Sequence, residues 1–133
     1  PAALNMQPYL HELGETVADS FGLDDRRIQI RYEVEPVELD AETAIPVGLI
    51  TNELITNALK YAFPDNRQGE IRLHFSRPAQ GGYLLKVQDN GVGKAAAVTD
   101  SGTAFGTRLI RLLSQKLKAQ LEGTGYGKAI WFD

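Results

Sequence analysis

Residues 50–65 read ITNELITNALKYAFPD, and the division of polar and apolar side chains in this stretch decides the reading of the chain. Glu53, Asn57 and Lys60 stand at i, i+4 and i+7. At helical pitch they share an arc of about 60° on one face. Val47, Leu54, Ile55, Ala58, Leu59 and Ala62 supply a core stripe on the other side. The spacing predicts a helix from about Glu42 to Ala62, with Pro46 tolerated only near its start. The FPDNRQG stretch, residues 63–69, then reads as a loop. A carboxylate, an amide oxygen and a cation in one line suit a base, a Mg2+ ligand and a phosphate partner. A solvated face of a surface helix is the plainer account of the same spacing.

On the N-terminal side, Leu10, Leu13, Val17 and Phe21 recur at helical spacing through residues 4–21, and Gly22 stops the pattern. RIQIRYEVE, residues 27–35, alternates as a half-buried strand with Ile28, Ile30, Tyr32 and Val34 on one face, closed by Pro36. On the C-terminal side, EIRLHFS (70–76) and GYLLKVQD (82–89) are two strands joined by a turn rich in Pro and Gly. Phe105, Leu109, Leu112, Leu113 and Leu117 outline an amphipathic helix over 105–118, and KAQLE and KAIWF close the chain as a hairpin. The strands do not alternate regularly with helices, so the fold class is α+β, a two-layer sandwich.

The strand GYLLKVQD runs directly into Asn90-Gly91-Val92-Gly93. Asn-Gly is by itself a turn signal. Asp89 at the strand's end is nevertheless placed to accept an exocyclic amine, and Gly91 and Gly93 let backbone approach a flat ligand. Further on, Ser101-Gly102-Thr103-Ala104-Phe105-Gly106-Thr107 opens the last helix. Its glycines and helix N-terminus suit a phosphate, although a loop capped by Thr103 explains them equally. Neither a Walker loop nor a dinucleotide fingerprint occurs.

The 133 residues carry a net charge of −3 and no cysteine. The charge argues against a general nucleic-acid binder, and the missing cysteines exclude disulfides and thiolate metal sites. No apolar run of membrane-spanning length is present, and PAALNMQPYL lacks the pattern of a secretory signal. A cytoplasmic location fits.

Taken in order, the helix stripe, the strand ending in DNGVG and the glycine loop opening a helix resemble the GHKL ATPase superfamily. Within it, ITNELITNALKYAFPD looks like the N box of bacterial sensor histidine kinases, and LNMQPYLHEL and LDAETAIPVGLITNEL extend the likeness over almost the whole chain. The resemblance implies one histidine kinase-like ATP-binding domain over 1–133, with residues 1–22 as a lead-in helix. The implied fold is of the Bergerat type: a mixed, mostly antiparallel sheet covered by helices on one face. It implies Mg-ATP as ligand: Asn57 on Mg2+, Glu53 polarising the nucleophile, Lys60 on phosphate, Tyr61 against the nucleotide. Asp89 would bind the adenine amine, Gly91 and Gly93 would shape its pocket, and Gly102, Thr103, Gly106 and Thr107 would cradle phosphates. The implied chemistry is γ-phosphoryl transfer to a histidine on an upstream dimerisation domain, for relay to a response-regulator aspartate. As a fragment the chain is expected to be monomeric, without membrane contact.

Three departures stand out: a short stretch between DNGVG and Gly102, Phe105 inside the second glycine box, and no Gly-Thr ahead of the last strand. They leave open a degenerate nucleotide-sensing module or another GHKL ATPase, such as an anti-sigma-factor kinase; a plain interaction domain would bind no nucleotide. His11 reads as an exposed helix residue pairing with Glu15, and His74 as a strand residue. The implied phosphoacceptor lies upstream. Gly123 to Lys128 imitates a phosphate loop but reads as a hairpin turn.

Overall fold

The computed structural model describes residues 3–22, 27–93, 104–124 and 126–133, the side chains of 104–107 and 124 excepted. The predicted helix at 4–21 is preceded by a strand: β1 (Ala3–Asn5) pairs antiparallel with β3 (Glu38–Asp40). The Asn5 side chain then accepts from Gln7 N at 3.0 Å, so helix α1 runs Met6–Ser20. This small ribbon was not expected, because Pro36 reads as a stop; the chain turns there and re-enters extended backbone. Met6, Leu10, Gly14 and Val17 form the buried face of α1, whereas Phe21 at its C-cap is exposed.

Asp40 caps the long helix α2 (Ala41–Tyr61) by accepting from Thr43 N at 3.1 Å. The helix therefore starts early enough to put Pro46 in its second turn, where it forfeits one helical hydrogen bond. The remaining elements are β2 (Ile28–Val34), β4 (Gly69–Ser76), β5 (Tyr83–Asp89), α3 (Ala104–Lys116), β6 (Gln120–Thr124) and β7 (Gly127–Phe132). In α3, Ile110 and Leu113 are buried while Leu112 is 64% exposed, so the core face lies slightly round from the predicted stripe.

Five strands form one sheet in the order β2-β4-β5-β7-β6. Only β2–β4 is parallel, the α2 crossover lying between those strands; the other three pairings are antiparallel. Register sets Ile30 beside Ile71, Leu73 beside Val87, and Leu85 beside Ile130 on one face. These side chains pack with Leu10, Val47, Ile50, Leu54 and Ile55 of the helices into one core. The opposite face carries Arg31 and Arg72, whose guanidinium groups lie 3.9 and 3.4 Å from Glu70. The mostly antiparallel two-layer α+β sandwich is thus observed. No helix among the described residues is long and apolar enough to cross a membrane.

Candidate functional site

Along the polar stripe of α2, exposure is graded rather than uniform. Lys60 is exposed, Glu53 and Tyr61 are half-buried, and Asn57 retains only 3% of its surface. A solvated face does not bury an amide, which must be hydrogen-bonded to be tolerated in the interior. The stripe therefore descends into the protein at Asn57.

Asp89 is the last residue of β5 and faces the helix layer, in register with Ile71. Its backbone N donates to Tyr126 O at 2.8 Å, which anchors the strand end to the start of β7. The carboxylate is 9% exposed and its Oδ1 accepts from Gly91 N at 2.9 Å. Burial pushes its pKa above the usual range; the Gly91 N–H pulls the other way by favouring the anion. A buried acidic acceptor with a fixed orientation results.

Gly91 also explains how two motifs far apart in sequence become one site. Val92 N donates to Ala62 O, the C-cap of α2, at 2.9 Å. A Cβ at Gly91 would collide with that same carbonyl, and would stand 2.8 Å from Ala62 Cβ. Only glycine lets the DNGVG turn lie directly on the end of the helix that carries Asn57, Lys60 and Tyr61. Gly93 contributes differently, with φ +81° and the Tyr126 ring lying against it.

The turn is held from a third side by residues that sequence reasoning missed. Asn90 Oδ1 accepts from Glu70 N at 2.8 Å, and the Arg67 guanidinium donates to Asn90 O and Gly91 O at 3.3 and 3.5 Å. The 63–69 loop is therefore a brace for the glycine turn. Asp65 and Asn66 there have φ +58°, the left-handed conformation these two residue types tolerate best. Lys128, which ends the stretch that imitates a phosphate loop, is in phase with Ile130 and Phe132 and is buried on the inner face of β7.

Gly102 and Thr103 lie outside the described residues; Gly106 and Thr107 fall in the first turn of α3, which packs against α2. His11 does not pair with Glu15 as predicted. Its ring packs on Tyr32 at 4.4 Å, and the Tyr32 hydroxyl donates to Glu15 Oε2 at 2.6 Å. His74 is a half-buried β4 residue, 2.9 Å from Ser76 Oγ, its pKa lowered by burial and by Lys86. Gly123 to Lys128 belongs to the β6–β7 hairpin, as expected.

A recess of about 280 Å3 at the end of β5 is lined by Asp89, Asn90 and Tyr126 together with Glu70, Arg72 and Gln88, the last three on the sheet face away from the helices, and it includes no residue of the stripe. Larger hollows, of about 850 Å3 along α1 and β2 and about 400 Å3 between α1 and α2, include neither Asp89 nor any residue of the stripe. Size does not single out the site; the buried carboxylate on a glycine turn does.

The element order and the mostly antiparallel sheet are those expected of the GHKL ATPase class. Residues 42–131 match the family described as histidine kinase-, DNA gyrase B- and HSP90-like ATPase, and the chain belongs to that family. Blue-light-activated histidine kinase 2 of Erythrobacter litoralis is 32% identical over 102 residues, 75% of this chain and 29% of that protein. The histidine kinase domain of a blue-light-activated histidine kinase from the same organism superposes with a TM-score of 0.80 at 27% identity, covering 98% of this chain and 60% of that one. The mycobacterial sensor histidine kinase MprB shares the fold, with a TM-score of 0.70 at 16% identity over 98% of this chain and 95% of that one. The chain thus spans less than a third of its curated relative's length.

Proposed function

We propose that this chain is the catalytic domain of a two-component sensor histidine kinase, transferring the γ-phosphoryl group of ATP to a histidine on a separate upstream helical domain. A response-regulator aspartate would receive the group next. One observation carries the reading: Asp89 is a buried carboxylate, aimed by Gly91 N–H, on a turn pressed against the helix that bears Asn57. A buried acceptor of this kind suits the exocyclic amine of adenine, since the charged acceptor gains more from a donor than a solvated one would.

In this reading Tyr61 packs on the nucleotide, Gly91 and Gly93 shape the base pocket, and Lys60, exposed at the helix end, reaches phosphate. Gly102, Thr103, Gly106 and Thr107 complete the phosphate contacts. Glu53 takes the position of a base one helical turn before Asn57, and polarises the attacking imidazole. Among the described residues no three His, Cys, Asp or Glu side chains come together as a metal cage. The amide oxygen of Asn57 is the hard, neutral ligand that Mg2+ accepts beside substrate phosphates. When bound there, Mg2+ would neutralise charge on the transferring group. Catalysis of this type rests on positioning and charge rather than covalent chemistry, which these residue types supply. The partners are the protein's own dimerisation and phosphoacceptor domain and a response regulator, in the cytoplasm, with the fragment itself monomeric.

The test is phosphoryl transfer from γ-labelled ATP to the phosphoacceptor domain added in trans. Acid-labile, base-stable label on that domain, lost in Asn57→Ala and Glu53→Gln, is the expected result. Nucleotide binding without any transfer would make the chain a sensing module and remove the kinase assignment.

A further inference from the structure

The outward face of α2 is polar except at one place. Glu42, Asn52, Glu53, Thr56 and Lys60 share it, and so do Ile45 and Leu49, which remain 51% and 42% exposed. Single exposed apolar residues are ordinary on a protein surface, but these two form a ledge in line with Glu53. At helical rise they stand about 12 and 6 Å before it along the axis. Helix α1 supplies a facing wall. A Cβ at Gly48 would collide with the Tyr9 ring, so the two helices touch there. Beside that contact, Tyr9, Leu13 and Val17 line the hollow of about 400 Å3 together with Ile45 and Leu49. Among the described residues Glu12 is the one charged side chain in its lining, and Glu42 and Glu53 precede and follow the ledge along α2.

An apolar groove between two helices, with acidic margins, is a seat for a third helix that is amphipathic and basic along its flanks. In the kinase reading the attacking imidazole comes within hydrogen-bond reach of Glu53, so the helix that carries it passes along this part of α2. We infer that the phosphoacceptor helix docks in the α1–α2 groove, with its histidine at Glu53 and its apolar side chains on Leu49 and Ile45. Lysine or arginine beside that apolar strip meets Glu12 and Glu42. The groove is thereby the protein-substrate site, separate from the nucleotide site: Leu49 stands about 20 Å along α2 from Ala62, where the glycine turn rests. This rests on the kinase reading of Glu53.

The experiment measures initial rates of transfer from γ-labelled ATP to graded concentrations of the phosphoacceptor domain, with ATP affinity followed by calorimetry. The chains compared are wild type, Leu49→Lys, Ile45→Lys, Glu53→Gln and Gln29→Lys, the last adding the same charge on the exposed outer face of β2. Leu49→Lys should raise KM for the phosphoacceptor domain by about tenfold or more, as loss of a central interface anchor does. Its ATP affinity should stay at the wild-type value, which also shows that the variant is folded. Ile45→Lys, at the far end of the ledge, repeats the test independently, and Gln29→Lys should leave both constants unchanged. A wild-type KM in both ledge variants, with transfer still lost in Glu53→Gln, overturns the inference and leaves the kinase reading standing. Self-association of the wild-type chain that Leu49→Lys abolishes gives the ledge to a second copy and overturns it likewise. ATP binding by the folded wild type with no transfer at any concentration of the phosphoacceptor domain overturns both.

Discussion

Replacing Gly91 with alanine tests the joint between the glycine turn and α2 without touching any polar side chain. The new Cβ would sit 2.7 Å from the Ala62 carbonyl carbon and 2.8 Å from Ala62 Cβ, with the carbonyl oxygen closer still. Carbon atoms pack at about 3.5–4.0 Å, so the turn and the helix end must separate by about 1 Å. Neither side yields easily: Ala62 is fully buried, and Val92 N already holds its carbonyl at 2.9 Å. Overpacking of this kind costs about 1–3 kcal/mol, and a weakened Val92–Ala62 hydrogen bond adds about 0.5–1.5 kcal/mol. The expected destabilisation is therefore about 2–4 kcal/mol, or roughly 8–16 °C in Tm for a domain of this size. Urea unfolding with an unchanged m-value is the assay, and Gly22→Ala is the control. Gly22 has φ +68°, but a Cβ added there would meet no atom of the described residues within 4 Å, so only its backbone strain, about 1 kcal/mol, should register. If Gly91→Ala unfolds within about 0.5 kcal/mol of wild type, the turn is not pressed on α2, and the linkage of the two motifs fails.

Asp89→Asn should be more stable than wild type at pH 7, because burial raises the carboxyl's folded pKa above its unfolded value. The folded state then binds more protons, so wild-type stability falls as pH rises through the folded pKa; the mutant's advantage should vanish on acidification, as urea midpoints between pH 4 and 7 would reveal. Arg67→Ala, which removes the 3.3 and 3.5 Å braces to Asn90 and Gly91, should cost less than about 1 kcal/mol of stability given its exposure, yet speed amide exchange at residues 90–92. Tyr32→Phe should lose up to about 1 kcal/mol with its 2.6 Å hydrogen bond to Glu15, and adding Glu15→Gln to Tyr32→Phe should cost nothing further, because the exposed carboxylate is by then solvated, as thermal unfolding would show. Ser114→Ala should leave stability unchanged or raise it by about 0.5 kcal/mol, since the buried hydroxyl has no partner among the described residues and alanine favours the helix.

Most of the layer arrangement was legible because the apolar periods are clean. β2 and α2 announce their inward faces by alternation and helical recurrence, and the observed bounds of β2, β4, β5 and α2 fall within a residue or two of the predicted ones. What escaped were features decided by partners distant in the chain. The β1–β3 ribbon is two tripeptides, too short for a period, and exists because each is the other's partner. Parallel pairing of β2 with β4 depends on how the α2 crossover returns, which no local pattern states. Phe21 and Leu112 satisfied helical spacing but lie beyond the edge of the buried arc, while Ile110 falls inside it. At the site, Asp89 and the α2 stripe could be read from position and spacing. Their joint could not: that Gly91 is bare because Ala62 stands behind it, and that Arg67 and Asn90 brace the turn, are facts of packing.

The central claim is tested most directly by calorimetric titration of ATP, with and without Mg2+, into the wild-type chain and Asp89→Asn. The account predicts saturable ATP binding that strengthens with Mg2+ and weakens in Asp89→Asn by about 2–4 kcal/mol, a loss of roughly 30-fold or more. Equal affinity in the two chains, or no binding to the folded wild type, would contradict it.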